Sequence, residues 1–125
     1  MDIYKSGDSQ NLMDHYRNPR NRGTIVAANV VSTVQNPSCG DTIVIQGILT
    51  NGTLVQLNFT GSGCVISQAA ASMLTELAIG KTVEELRALD AQAMRDLVGI
   101  PLGPTRLRCA LLALEALHEG LAAYA

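Results

Sequence analysis

Tryptophan is absent from this 125-residue chain, and the aromatics are confined to Tyr4, Tyr16, Phe59 and Tyr124. The formal charge is only −2, from nine Lys or Arg against eleven Asp or Glu. There is neither a basic field for a phosphate backbone nor a stacking platform for bases, so nucleic-acid binding is excluded. No apolar run approaches the roughly 20 residues that a membrane-spanning helix requires, and no membrane is expected as a partner. Residues 1–10 carry Asp2, Lys5 and Asp8 without an apolar stretch, unlike a signal or transit peptide. They read as a flexible N-terminal tail, with one domain over residues 11–125 that can bury a core without disulfide staples. Cysteine is also scarce: three residues, an odd number with no short-spaced pair. That argues against a disulfide framework and for reduced thiols in a cytoplasmic setting.

What is present is an ordered succession of strand and helix signals. Residues 12–16 read as a short helix ending at Asn18-Pro19, because the residue before proline is pushed out of helical geometry. Residues 25–35, rich in valine, read as a first strand, and 42–50 and 53–60 as two more around Asn51-Gly52, a hairpin dipeptide. Alternation of Val55, Leu57 and Phe59 with Gln56, Asn58 and Thr60 predicts one buried and one wet face. Beyond Cys64 the period becomes helical, with Ile66, Ala69, Ala70, Met73, Leu74 and Leu77 on one stripe and Gly80 as the stop. Thr82 with Glu85 forms a capping box, and Asp90 caps a helix that stops near Gly99. The last helix spans about 105–122, entered at Gly103-Pro104, with Leu107, Leu111, Leu114, Leu117 and Leu121 facing the core. Strands followed by helices predict an α+β fold, a small antiparallel sheet with helices packed on one face.

The three cysteines sit in polar, glycine-bearing or charged settings rather than apolar runs, which is unusual for thiols kept only for packing. Cys39 lies in Asn36-Pro37-Ser38-Cys39-Gly40-Asp41, two residues from Asp41, and the strand period sends both side chains the same way. Cys64 follows Gly61-Ser62-Gly63 at a helix start, where backbone N–H groups and the helix dipole stabilise a thiolate. Cys109 is expected in the first turn of the last helix, flanked by Arg106 and Arg108. Three such thiols and the Asp41 carboxylate make four ligands for a soft divalent metal or an iron–sulfur cluster. Spacing alone leaves three unrelated thiols equally open. His118 lies on the opposite side of the helix from Cys109, more than two turns away, and reads as a helix-end residue. His15 has no partner in the sequence and reads as structural. Arg17, Arg20 and Arg22 read as a solvated face in preference to a docking patch.

Four segments together carry a family resemblance: Asp14-His15-Tyr16-Arg17-Asn18-Pro19-Arg20-Asn21, the Cys39 and Asp41 segment, the run from Gly61 to Leu74, and Arg106-Leu107-Arg108-Cys109-Ala110. In this order they resemble the IscU/SufU/NifU-type iron–sulfur cluster assembly scaffold family over nearly the whole chain after Gln10. The resemblance implies an IscU-like fold and a transient [2Fe-2S] cluster on Cys39, Asp41, Cys64 and Cys109. A cysteine desulfurase would deliver the sulfur and an iron donor the metal, and apo iron–sulfur proteins would receive the product from a monomer or weak dimer. The carboxylate would keep the site labile, being a harder ligand than thiolate.

Two departures separate this chain from the family's branches. Arg108 stands where the IscU branch has a histidine before the third cysteine. Leu102-Gly103-Pro104-Thr105-Arg106 replaces the Leu-Pro-Pro-Val-Lys stretch gripped by a dedicated Hsp70 chaperone, so that partner is not expected. The basic residues before Cys109 are similar to those of the SufU branch, yet the stretch from Cys64 to Cys109 lacks that branch's insertion. The alternative function is therefore a zinc-dependent, SufU-like sulfurtransferase with Zn(2+) at the same four residues, in which Cys109 accepts persulfide sulfur from the desulfurase. A purely structural zinc site is disfavoured, because a chain this rich in leucine, valine and isoleucine should fold without metal.

Overall fold

Asn51 and Gly52 adopt φ angles of 53° and 78°, the left-handed geometry that a two-residue hairpin demands. They join β2 (Asp41–Thr50) to β3 (Thr53–Ser62), while β1 (Val30–Asn36) pairs along the other edge of β2. The sheet is antiparallel with order β1-β2-β3. The structure, a computed structural model, describes residues 7–37 and 40–123. Its helices are α1 (Gly7–Arg17), α2 (Val65–Ala78), α3 (Val83–Ala88), α4 (Ala91–Val98) and α5 (Pro104–Leu121). Along β2, Ile43, Ile45 and Leu49 are buried at the strand period. α5 packs on β1 and β2, and α2 on β3 and α5; α1 and α4 then pack on α2. This is the expected α+β arrangement.

Local chemistry sets the helix ends. Thr82 Oγ1 accepts from Glu85 N at 3.2 Å, and Glu85 Oε1 accepts from Thr82 N at 3.1 Å, completing the capping box of α3. Asp90 caps α4 by accepting from Ala93 N at 2.9 Å, and Gly99 closes it at φ 76°. Gly80, just past α2, takes φ 96°.

Three boundaries differ from expectation. α1 begins at Gly7, so it takes in the last four residues of the expected tail; these carry no apolar residue, and periodicity gave no sign of them. β1 begins at Val30 rather than residue 25. Before it the chain turns, with Ala27 at φ 62°, and the Asn29 side chain pairs with both backbone groups of Leu49, at 2.8 and 2.9 Å. A side-chain amide thus does the pairing that a longer strand would have done. In β3 the pairing jumps from Ile48↔Gln56 to Leu49↔Leu54, leaving Val55 as the extra residue of a bulge. The bulge shifts the alternation: Leu54, Leu57 and Phe59 are buried, whereas Val55 is 50% exposed.

Candidate metal centre

Asp41 opens β2 at the end of the sheet where β3 finishes, and the next pair in register, Thr42↔Ser62, brings the start of α2 beside it. The carboxylate is 3% exposed, and its Oδ1 accepts from Cys64 N at 3.2 Å. Oδ2 is buried with no hydrogen-bond partner among the described residues. Gly63 permits this approach. A Cβ there would stand 2.7 Å from Asp41 Cγ and Oδ1 and 2.6 Å from Ser67 Oγ, so any side chain would push the turn off the carboxylate.

Cys64 is the N-cap of α2, with extended backbone (φ −74°, ψ 171°) and its Sγ accepting from Ser67 N at 3.4 Å. The place usually taken by serine or aspartate is filled by a thiol, which therefore faces the unpaired N–H groups of a helix start. Cys64 is exposed, whereas Cys109 is 6% exposed. Cys109 is the sixth residue of α5 and so lies in its second turn, not the first as expected, because the helix begins at Pro104. The Asp41, Cys64 and Cys109 ligand atoms all lie within 4.8 Å of one another. Metal–sulfur bonds of about 2.3 Å in tetrahedral geometry place ligand atoms about 3.8 Å apart, so only small adjustments separate this set from closure around one ion. The buried, partnerless Oδ2 also fits a cation. Cys39, and with it the expected common direction of Cys39 and Asp41, lies outside the described residues.

Neither histidine joins this group among the described residues. His118 donates Nε2–H to Leu86 O at 3.0 Å, tying α5 to α3 near its end as the helix-end reading expected. His15 is buried between α1 and α2, with Nδ1 2.8 Å from Ser72 Oγ and Nε2 3.4 Å from Glu76 Oε1. Burial pushes its pKa below 6.5 and the Arg20 charge pushes the same way, against Glu76 and Asp14. Asp14 is itself lowered, by hydrogen bonds from Arg20 and Asn18. Arg106 is exposed and lines a cleft of about 490 Å³ with Met13, Arg17, Val65 and Ile66. Arg108, also exposed, lines a small cavity with Asn36 and Pro37, the segment leading to Cys39.

Sequence reasoning passed over two residues here. Ser67 donates its backbone N–H to Cys64 Sγ and its hydroxyl to Cys64 O, at 3.4 and 3.1 Å. Gln68 is 6% exposed, and neither of its side-chain amide atoms has a partner among the described residues. Its visible signal was a lone amide at the head of an alanine run in an apolar helix.

The chain matches the NifU-like N-terminal domain family over residues 7–125. It is 36% identical to an iron–sulfur cluster assembly scaffold protein IscU of Archaeoglobus fulgidus, over 93% of this chain and 75% of that one. It is 34% identical to the zinc-dependent sulfurtransferase SufU of Bacillus subtilis, over 90% of this chain and 88% of that one. Its fold superposes on a SUF-system iron–sulfur cluster assembly scaffold from Fervidobacterium islandicum with a TM-score of 0.77 and 26% identity, covering 88% and 93% of the two chains. The protein therefore belongs to the NifU-N, IscU and SufU family of iron–sulfur cluster assembly scaffolds. Among the described residues no helix is long and apolar enough to cross a membrane.

Proposed function

We propose that this protein is a cytoplasmic scaffold on which a [2Fe-2S] cluster is built as cargo, held by Cys39, Asp41, Cys64 and Cys109 and passed to apoproteins. Sulfur comes from a cysteine desulfurase, and iron from a separate donor. The observation that carries this reading is the buried Asp41 carboxylate beside the Cys64 and Cys109 thiols, with one oxygen fixed by Cys64 N and the other without a partner among the described residues. A resident site would gain from a fourth thiolate; a carboxylate is a harder, weaker partner for soft iron–sulfur chemistry and suits cargo that must leave. The test is anaerobic incubation with ferrous iron, cysteine and a desulfurase, followed by visible absorption and transfer to apo-ferredoxin. Wild type is expected to form a cluster and hand it over, and Cys64→Ala or Cys109→Ala to form none. Asp41→Ala should retain its cluster, with transfer slowed about tenfold, equivalent to about 1.4 kcal/mol in the barrier. Transfer at the wild-type rate would remove Asp41 from the ligand set.

The second reading, zinc-dependent sulfur transfer, is supported by the likeness to SufU and by a donor set of thiolates and a carboxylate that suits zinc. In that chemistry a cysteine thiolate attacks the outer sulfur of the desulfurase persulfide, the S–S bond breaks, and the desulfurase cysteine leaves as thiolate. Cys109, with Arg108 beside it to stabilise the thiolate, is the acceptor by motif; its burial against the exposure of Cys64 counts against it. On this reading wild type forms no transferable cluster but accelerates the desulfurase when zinc is bound, and Asp41→Ala loses zinc.

A further inference from the structure

Gln68 breaks a rule that the rest of α2 obeys. Its neighbours Ala69, Ala70 and Ala71 are fully buried and apolar, and buried Ser72 and Thr75 each have hydrogen-bond partners. Gln68 is only 6% exposed, yet both ends of its amide lack a partner among the described residues. A buried primary amide left unpaired destabilises a protein, whereas methionine would fill similar space without that cost. Such a group calls for an acceptor or donor that arrives with something else.

Its position indicates what arrives. Gln68 N donates to Cys64 O at 3.2 Å, so the residue sits one turn into α2 from the thiol. Side chains on a helix lean toward its N-terminus and over the residue four positions back, which directs the Gln68 amide to the Cys64 end of the helix. There the Asp41 carboxylate also has a buried oxygen without a partner among the described residues, and the ligand atoms of Asp41, Cys64 and Cys109 lie within 4.8 Å of each other. We propose that Gln68 is a positioning residue of the metal centre, whose Nε2–H donates to the Cys64 thiolate once a metal ion or cluster is bound. An N–H···S bond of this kind withdraws electron density from the sulfur, fixes its direction and gives the amide nitrogen the partner it lacks. The chain thus carries a cost in its metal-free form that binding relieves.

This inference rests on the reading of Asp41, Cys64 and Cys109 as metal ligands, and the two can fail separately. The test uses Co²⁺ as probe and Gln68→Met as variant, with three readouts: thermal midpoint of the metal-free protein, cobalt affinity against a competing chelator, and the thiolate-to-cobalt charge-transfer band. The metal-free variant is expected to be more stable, by about 3 °C. It should bind cobalt about tenfold more weakly, with the charge-transfer band displaced, as loss of an outer-sphere partner predicts. A lower metal-free midpoint would mean that the amide is already satisfied inside the fold, and would overturn the proposal. So would unchanged affinity with an unchanged band, whatever the midpoint does. Absence of a thiolate–cobalt band in the wild type would instead overturn the ligand assignment beneath it.

Discussion

Ser72 Oγ accepts the N–H of Arg20 at 2.8 Å and stands 2.8 Å from His15 Nδ1, so one hydroxyl ties the start of the α1–α2 connection to the histidine ring. Its other nitrogen, Nε2, lies 3.4 Å from Glu76 Oε1, and burial favours the neutral ring. A histidine whose folded-state pKa lies below 6.5 takes up its proton in the unfolded chain first as the pH falls. The stability it contributes is therefore present above about pH 6.5 and is lost as the pH drops from there through the folded-state value. We expect the thermal midpoint to fall between about pH 8 and about pH 5.5, and His15→Gln to flatten that part of the profile. Asp14 and Glu76 oppose the effect and Arg20 reinforces it. An unchanged slope in the variant would assign the pH dependence to other groups. The Ser72 and Glu76 partners were not legible in the sequence, because both lie on α2, Ser72 at 57 residues from His15, and meet it only after α1 docks there.

Between elements, Gly61 of β3 leaves no room for a side chain against β2. A Cβ there would lie 2.0 Å from Thr42 O, a distance no rotation of a side chain can relieve, and its φ of 142° is one that other residues rarely adopt. Gly61→Ala should cost about 3 kcal/mol in denaturant unfolding, the upper end for forced overpacking. It should also weaken metal binding, since Thr42 follows Asp41; a loss below about 0.5 kcal/mol would show that the strands separate easily. Features set by short-range chemistry were readable in advance: the Asn51-Gly52 hairpin, the Thr82 and Glu85 box, the Asp90 cap and the Gly99 stop. The start of β1 was not, because Asn29 finds its partner Leu49 across the sheet. Nor was the bulge at Val55, since nothing in the pattern of Leu54 to Phe59 marks which residue is left unpaired. Asp41, Cys64 and Cys109 were legible as chemistry but not as neighbours; their convergence belongs to the packing of β2, α2 and α5.

Across the whole molecule, the apolar core is far larger than the candidate metal centre, which shares with it the buried Cys109. Leu12, Ile43, Ile45, Leu57, Phe59, Leu74, Leu114 and Leu117 form a continuous core that includes neither Asp41 nor Cys64. We therefore expect the metal-free protein to unfold cooperatively, and zinc to raise its midpoint by mass action, worth about 2.7 kcal/mol at a hundredfold excess over Kd. Chelation should return the midpoint to the metal-free value without abolishing the transition; loss of all structure would make the metal a folding requirement. The placing of the candidate donors at the start of β2, at the N-cap of α2 and within α5 also governs when the three can meet. A chain still on the ribosome can present Asp41 and Cys64 but not α5, which supplies the later thiol and packs against both α2 and the sheet. Nascent chains thus expose Asp41 and Cys64 before their neighbour Cys109 exists, and the group of three is complete only once synthesis has delivered α5.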